Sequence, residues 1–387
     1  MASGASEPYK VGIISRPVDQ GTSGSGFSLI HTLRALDALR EEWQEHFDLH
    51  LVHYVKGTHE LYQRFPEVVV PRSPLRTARF IDRAGFSLMH YNPLTLFSPV
   101  FGFGGKKVAM IHGAEPDLLP HLYSKAHVWH DRIIVPFLAR RIDRVITPSK
   151  TTADYLLDKM KLPKQPLVTY NAVSELFPPP PKAERPRLLE ERYGLESPYF
   201  FHLSKFSQRK NPWTLLEAFG RFLSLRPSAE GMRADVRLLI GGKGWDNPEV
   251  LSFLRDRGIA DSVILAGFLS ESDVALLYSE ATAFIFPSLI EGFGMPNLEA
   301  MVYGCPVITS DAFAVKEVVG DAALVMPDPL DVDDLANKMV NIVEDNELRQ
   351  NLIQKGHARA GSFSWKNSAR LLLNLYAELL GVAQRWT

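Results

Sequence analysis

A chain of 387 residues is too long for one ordinary hydrophobic core and suits two α/β domains. Apolar residues make up 45% of it and charged residues 22%, as in soluble globular proteins, and a formal net charge of -1 argues against generic nucleic-acid binding. The single cysteine, Cys305, excludes an intrachain disulfide and a cysteine metal cage, so we expect a cytoplasmic protein.

The sequence contains no stretch of about 20 uncharged apolar residues that could span a membrane, and residues 1–8 are small and polar rather than a signal sequence. Basic and aromatic residues mix in the first half, as in residues 76–86 and 140–144. Two interpretations stay open for them: a solvated charged face, or a peripheral contact of the first domain with the inner face of a membrane.

The first half of the sequence alternates apolar runs with amphipathic segments. Residues 9–15 predict a strand, the glycine- and serine-rich residues 21–26 a loop, and residues 27–42 a helix. That loop lacks the Gly-x-Gly-x-x-Gly fingerprint, so a flexible turn explains it as well as a nucleotide site does. Further strands are predicted at residues 49–54, 87–91, 107–112 and 143–147, with His112 ending the third, a helix at residues 131–141, and Ser149 capping the helix that follows.

The second half continues this alternation. Four consecutive prolines at residues 178–181 break regular structure and predict a stiff hinge between domains. A regular β/α series after the hinge is typical of parallel sheets. The predicted strands are residues 199–203, 236–242, 263–267, 283–286, 307–309 and 320–325, and the predicted helices include residues 271–280, 331–343, 346–359 and 366–380.

Residues 288–310 carry most of the recognisable chemistry. They predict a loop, a helix that begins near Pro296 and a second strand, and such a unit in a parallel sheet puts its loop at the carboxyl edge, where ligands bind. The two glycines of residues 291–294 let the backbone approach a ligand, and the helix N-terminus favours a phosphate. Glu291 and Glu299 would repel a bare phosphate, but they would accept hydrogen bonds from hydroxyl groups.

A nucleotide-sugar would suit this stretch. Its diphosphate would bind the backbone amides at the helix N-terminus, and the hydroxyl groups of its ribose and sugar would donate hydrogen bonds to the two glutamates. The simpler alternative is that Glu291 is a solvated loop residue and that Glu299 only complements the helix dipole. Residues 291–300, Glu-Gly-Phe-Gly-Met-Pro-Asn-Leu-Glu-Ala, resemble the Glu-x7-Glu signature of retaining GT-B glycosyltransferases of family 4, the glycosyl transferases group 1.

The resemblance implies an α/β protein of the GT-B fold, with two Rossmann-like doubly wound domains facing a cleft. Residues 1–180 would bind the acceptor, residues 181–364 would bind the nucleotide-sugar, and residues 365–387 would form a helix that packs back on the first domain. In this family the first Glu of the signature contacts the donor sugar and the second holds the ribose, which assigns these roles to Glu291 and Glu299. The diphosphate would bind the amides of Gly292, Phe293, Gly294 and Met295.

Residues 204–212 place three cations in one predicted loop, which is either a solvated basic loop or the countercharge of a diphosphate. The loop resembles the family's Gly-Arg-x-x-x-x-Lys-Asn clamp, matched at Lys210 and Asn211. Lys205 stands at the usual arginine position, where it keeps the charge but loses the bidentate fork.

His112 resembles the histidine of the family's strand ending in His-Asp, which reaches the donor sugar, although Gly113 stands where the Asp is expected. We predict that His112 positions the sugar by a hydrogen bond rather than by proton transfer, and a capped structural histidine is the alternative. The other predicted contacts of the donor are Gly242, Lys243 and Phe268 beside the nucleoside, and Gly24 and Gly26 near the phosphate; packing or a flexible turn is the alternative for each.

The implied activity is transfer of a hexose from a nucleotide-diphospho-sugar to a saccharide or lipid-linked acceptor, with retention through same-face displacement. We expect no cofactor and no metal, because the lysines would neutralise the diphosphate. Residues 291–325 are similar to those of mannosyltransferases of polysaccharide assembly, so GDP-mannose is the first donor candidate, ahead of a UDP-sugar. The alternatives are a disaccharide synthase or phosphorylase of the same fold, and a non-catalytic nucleotide-sugar-binding protein.

Overall fold

The computed structural model describes residues 7–20, 24–173, 177–196, 198–225 and 236–387. These residues form two compact units, the first within Met1–Asn171 and Ser364–Thr387 and the second within Ala172–Phe363. The chain therefore leaves the first unit ahead of the proline run at residues 178–181, where the sequence predicts a hinge.

The first unit is built on one parallel sheet. Its strands are β1 Tyr9–Ile14, β2 Phe47–His53, β3 Glu67–Val69, β4 Leu88–Tyr91, β5 Lys106–Met110, β6 Arg144–Thr147 and β7 Leu167–Val168. In the described residues they lie in the order β3-β2-β1-β4-β5-β6-β7. Val11 pairs with Leu49 on one side and Leu88 on the other, and all three are buried because helices cover both faces of such a sheet.

Helices connect the strands of the first unit, except that β4 is followed by β5 with no helix between them. They are α1 Arg16–Gln20, α2 Gly24–Ala38, α3 Arg40–Trp43, α4 Leu61–Arg64, α5 Pro74–Arg83, α6 Glu115–Leu118, α7 Lys125–Trp129, α8 Val135–Ala139 and α9 Lys150–Met160. Ser149 caps α9 as predicted, since its side chain accepts a hydrogen bond from the Thr152 amide at 3.2 Å.

Three predictions for the first unit need correction. The helix predicted from residue 27 begins at Gly24, so Gly24 and Gly26 lie in its first turn, where amide groups need no helical partner and glycine is tolerated. Strand β5 ends at Met110, and His112 therefore lies two residues beyond it rather than at its end. The helix predicted at 131–141 contains a π-helical turn, His130–Ile134, because Pro136 has no N–H to continue regular α-helical bonding.

The second unit is built on a second parallel sheet. Its strands are β8 Tyr199–Leu203, β9 Arg237–Gly241, β10 Val263–Gly267, β11 Ala283–Phe286, β12 Val307–Ser310 and β13 Leu324–Met326, in the order β10-β9-β8-β11-β12-β13 within the described residues. Its helices are α10 Arg185–Tyr193, α11 Pro212–Leu225, α12 Pro248–Asp256, α13 Glu271–Glu280, α14 Met295–Val302, α15 Val315–Val319, α16 Val332–Glu344 and α17 Asn346–Gly361. The two sheets confirm the predicted α/β class with two Rossmann-like units.

The closing helix, α18 Trp365–Leu380, belongs to the first unit. Ser364 caps it through the Asn367 amide, and its Tyr376 hydroxyl lies 2.8 Å from Nδ1 of the buried His90 on β4. Among the described residues, no helix has both the length and the apolar character that a bilayer crossing requires.

Candidate active site

The strand order of the second sheet determines where its ligand site lies. The order reverses between β8 and β11, and open parallel sheets bind ligands beyond the carboxyl ends of the strands at such a reversal. The loop after β8, residues 204–211, and the loop after β11, residues 287–294, meet at this point. The Leu289 amide donates to the Arg209 carbonyl at 2.9 Å and joins the two loops.

Glu291 lies at the centre of these loops with two cations. The Lys210 ammonium and the Arg209 guanidinium each lie 2.7 Å from Oε1 of Glu291, whose residue is 8% exposed. Burial alone would raise the pKa of the Glu291 carboxyl, but the Lys210 and Arg209 cations outweigh it and hold that pKa below its usual range. The acid is therefore ionised at neutral pH, and its site carries net positive charge.

Asn211 explains why Lys210 and Arg209 point at Glu291. It ends the short 3₁₀ turn Gln208–Lys210 in the left-handed conformation, with φ 56°, which asparagine adopts more readily than most residues. Its side-chain amide donates to the Pro287 carbonyl at 3.0 Å and to the Pro329 carbonyl at 2.6 Å. The basic turn is thus fixed to the loop that carries Glu291.

The segment after β12 fixes the backbone of Glu291 from the other side. The Glu291 amide donates to the Ala312 carbonyl at 3.3 Å, and the Ala314 amide donates to the Glu291 carbonyl at 3.2 Å. Phe313, between these partners, has φ 63°, a conformation that is rare for a bulky side chain and that concentrates at functional sites.

Gly294 precedes α14 and shapes the N-terminal end of this helix. Its φ of 89° is a left-handed value, and it has no side chain that could cap the amide groups of the first turn. Phe293 is 4% exposed and packs its ring on Phe363 at 5.6 Å, so the Phe293 ring has a packing role. A diphosphate would find backbone amides and the positive end of the helix dipole here.

Glu299 lies in α14 beside Tyr278 of α13, and the ion pairs of the described part of the chain do not include it. Burial raises the pKa of Glu299 to about 7, against a weak opposing hydrogen bond from the Tyr278 hydroxyl at 3.5 Å. Near neutral pH, Glu291 is therefore ionised and Glu299 is only partly ionised, although both belong to the same Glu-x7-Glu signature. The hydroxyl groups of a ribose could donate further hydrogen bonds to the Glu299 carboxyl.

The loops after β8, β9 and β10 form the other side of this sheet edge. The Phe206 amide donates to the Lys243 carbonyl at 2.9 Å, and the Gly242 amide donates to the Gly267 carbonyl at 2.6 Å. Gly242, at φ 113°, lies so close to the Ser204 carbonyl that a side chain would clash with it. A packing requirement therefore accounts for this glycine without a ligand.

Lys243 and Phe268 lie together at this edge. The Lys243 ammonium is 5.6 Å from the centroid of the Phe268 ring, which is 76% exposed. An exposed ring beside a cation could stack on a planar base, because aromatic rings bind π-faces and cations alike. Lys205 is exposed at the same edge and, unlike Lys210, does not contact Glu291.

His112 belongs to the first unit, on the segment that follows β5. Its Nε2 lies 2.9 Å from the Asn92 side-chain oxygen, an acceptor, so Nε2 carries the proton and Nδ1 presents a lone pair. Burial lowers the pKa of His112 to about 4, which keeps the imidazole neutral at physiological pH. The Glu115 carboxylate occupies the space that a side chain at Gly113 would need, 2.5 Å from an ideal Cβ, so Gly113 leaves room for this acid.

His112 lines a cavity of about 730 Å³ within the first unit. Asp117 also lines this cavity, and it accepts hydrogen bonds from Arg132, at 2.6 Å, and from the Tyr155 hydroxyl. Ser25, which lies between Gly24 and Gly26 in α2, also lines the cavity. A pocket of this size, with a few fixed polar groups, suits a small polar ligand such as a saccharide unit.

Sequence reasoning missed three residues of these sites: Arg209, Phe313 and Tyr278. Arg209 is one of the three cations of its loop, but the sequence analysis assigns it no role. Its position next to Lys210 was the signal that could have identified it. Nothing in the sequence around Phe313 or Tyr278 marks them. In the described residues, no cluster of three or more His, Cys, Asp or Glu side chains is arranged to hold a metal ion, and metal independence stays a prediction.

Two family models match the chain: glycosyltransferase family 4 over residues 30–175 and glycosyl transferases group 1 over residues 190–359. The O-antigen chain mannosyltransferase B of Escherichia coli is 33% identical over 234 residues, which are 60% of this chain and 60% of that protein. The serotype-specific mannosyltransferase WbdA of Escherichia coli is 28% identical over 305 residues, 76% of this chain and 36% of that protein. The chain thus spans 36% to 60% of the length of these relatives.

Solved structures share the fold. Sucrose-phosphate synthase from Thermosynechococcus elongatus superposes with a TM-score of 0.72 at 18% identity, covering 97% of this chain and 100% of that one. HepE from Anabaena, in complex with UDP and glucose, gives a TM-score of 0.73 at 17% identity, covering 96% and 100%. The solved structures show that the chain has the GT-B fold. The two family models, matched one after the other along the chain, show that it belongs to the family 4 glycosyltransferases, the glycosyl transferases group 1.

Proposed function

We propose that this protein is a retaining glycosyltransferase that transfers a hexose from a nucleoside-diphosphate sugar to a saccharide or lipid-linked acceptor. The observation that carries the proposal is the cluster of the buried Glu291 with the half-buried Lys210 and Arg209, beside the left-handed Gly294 that precedes α14. It combines a carboxylate that accepts hydrogen bonds from hydroxyl groups, two cations and a helix N-terminus, all at the carboxyl edge of a parallel sheet. A sugar linked to a diphosphate is complementary to all of them.

The proposed reaction builds negative charge on the departing diphosphate. The bond between the anomeric carbon and the phosphate oxygen breaks as the acceptor oxygen bonds to the same face of that carbon, and the acceptor proton passes to the departing oxygen. Lys210, Arg209 and the first amides of α14 would stabilise the charge as it develops, which is the largest catalytic effect available to such a site. We propose that these groups make a metal ion unnecessary.

The predicted role of His112 stays part of the proposal. Its imidazole is neutral, and the lone pair on Nδ1 can accept a hydrogen bond from a hydroxyl of the donor sugar. A pKa of about 4 does not suit proton transfer at neutral pH. The cavity that His112 lines is the proposed site of the acceptor.

GDP-mannose is the first donor candidate, because two of the similar proteins are named mannosyltransferases. A UDP-sugar is the second, because HepE was crystallised with UDP and glucose. A direct test is thermal denaturation with GDP-mannose, UDP-glucose, GDP or UDP, since a ligand that binds only the folded protein raises Tm. A matching nucleotide-sugar should raise Tm in the wild type and much less in Lys210→Ala.

Transfer itself is tested with the donor that binds and a mannose-containing oligosaccharide as acceptor. Proton NMR of the product reports whether the anomeric configuration of the donor is kept, and a parallel assay with EDTA reports metal independence. Failure of every nucleotide-sugar to bind would reject the proposal, and inversion at the anomeric carbon would reject its stereochemical part.

A further inference from the structure

Three large apolar side chains lie exposed in one row on the helical segment of residues 125–139. Trp129, Ile133 and Phe137 are 55%, 53% and 44% exposed. Their spacing of four residues, across α7, the π-helical turn and α8, places them on one face of the segment.

The loop after β4 adds to this apolar surface. The Phe101 ring lies 6.0 Å from the Phe137 ring, and the Leu96 amide donates to Nε2 of His130 at 3.3 Å. We call the joint surface the apolar ridge; its exposed members are Leu96, Phe97, Phe101, Trp129, Ile133 and Phe137. Exposed apolar side chains that cluster on a soluble protein mark surfaces that bind a partner or a membrane.

Positive charge borders the ridge. Residues 125–141 contain four basic residues and one acidic residue, Asp131, which is hydrogen-bonded to His130 at 2.7 Å. The Arg141 guanidinium lies 3.8 Å from the centroid of the Phe137 ring. Arg141 and Lys125 are both exposed, and the ion pairs of the described residues include neither of them. The Arg141 guanidinium donates a hydrogen bond to the Phe137 carbonyl at 2.6 Å, which keeps its charge beside the ridge. Exposed aromatic rings bordered by cations are typical of segments that lie in the interface of an anionic bilayer.

The same helical segment also lines the cavity of the first unit, through His127, His130, Asp131 and Val135. The ridge and the cavity therefore share one structural wall. We infer that the ridge docks on the surface of an anionic phospholipid bilayer and so brings the cavity to acceptors carried by lipid. The bilayer contact follows from the ridge alone, and only the link to a lipid-linked acceptor rests on the proposed function.

The test is cosedimentation of the full chain with vesicles of phosphatidylglycerol and phosphatidylethanolamine, compared with vesicles of phosphatidylcholine alone. The wild type should sediment with the anionic vesicles, and added salt should weaken the binding. The double variant Trp129→Ser/Phe137→Ser should lower the partition coefficient at least about tenfold, because it removes two aromatic side chains that would insert into the bilayer interface. Arg141→Gln should lower it by a smaller factor.

The matched control is Leu251→Ser/Leu371→Ser, which removes two apolar side chains of 38% and 42% exposure outside the ridge and should bind vesicles as the wild type does. The rise of Tm with a nucleotide-sugar should be the same in all variants, so a failure of the proposed function remains distinguishable from a failure of docking. The inference is overturned if the wild type binds neither vesicle, or if the ridge variant binds as well as the control. It is equally overturned if sedimentation velocity shows that the ridge instead joins two copies of the chain.

Discussion

The Lys210 ammonium lies 2.7 Å from the Glu291 carboxylate, although 81 residues separate the two in the chain. Arg209 contacts the same carboxylate oxygen, at 2.7 Å. The proposed donor site therefore pairs its two cations with an acid of the protein itself. A diphosphate would compete with Glu291 for these cations, and the sugar hydroxyls would replace them as partners of the acid.

The first prediction concerns Lys210 and Glu291 together. Lys210→Ala and Glu291→Ala should each lower kcat by about 10²-fold or more, because each removes a group that acts on the developing charge or on the sugar. The double variant should lose much less than the product of the two factors, since the residues act as one unit. Initial rates of transfer at saturating donor measure all three.

The control for this cycle is Arg257→Ala, which removes an ion pair with Glu217 in the same unit and should leave kcat unchanged. Circular dichroism should show a native spectrum for every variant. Near-normal rates in both single variants would remove Lys210 and Glu291 from the catalytic roles assigned to them.

The second prediction concerns Arg209, which no motif singles out. Its guanidinium donates to the Ile290 carbonyl at 2.8 Å and pairs with Glu291. Arg209→Ala leaves a buried carboxylate with one cation instead of two and should lower the free energy of unfolding by about 1–3 kcal/mol. Urea unfolding at neutral pH measures the change.

Arg209→Lys distinguishes charge from geometry at this position. If charge is the main contribution, the lysine variant should recover most of the stability lost in the alanine variant. If the hydrogen bond to Ile290 matters more, the lysine variant should resemble the alanine variant. Unchanged stability in both variants would contradict a structural role for Arg209.

The third prediction is a pH dependence from Glu299. Its pKa is raised to about 7 in the folded protein, so the folded state binds a proton more tightly than the unfolded state between pH 4.5 and 7. Stability contributed by this group is present at low pH and declines as pH rises through that range. Glu299→Gln should remove this decline from a plot of Tm against pH.

Donor binding should show the opposite trend. The ionised Glu299 is the better acceptor for ribose hydroxyls, so the affinity for the nucleotide should rise as pH increases through about 7, the pKa of Glu299. Isothermal titration at several pH values measures it. The same pH dependence in Glu299→Gln would show that another group is responsible.

How much of this could be read from the sequence depends on whether a feature is local. The strand-loop-helix order around Glu291, and the helix Glu271–Glu280, were predicted correctly because apolar runs, prolines and caps act over a few residues. The pairing of Lys210 with Glu291 depends on the register of β8 beside β11, which no local pattern encodes. The left-handed conformation of Phe313 is imposed by its two hydrogen-bonded neighbours, and phenylalanine gives no sign of it.

The fourth prediction compares two left-handed glycines of the second unit. Gly294, at φ 89°, starts α14 in the proposed site, and an added Cβ would meet the Asn297 side chain at 3.1 Å. Gly194, at φ 62°, ends α10 and has open space around its Cβ position.

The change of either glycine to alanine should lower the free energy of unfolding by about 1–2 kcal/mol through backbone strain. Only Gly294→Ala should also weaken donor binding, because it moves the amides that approach the phosphate. Equal donor affinity in Gly294→Ala and Gly194→Ala, measured by titration calorimetry, would place the diphosphate away from α14.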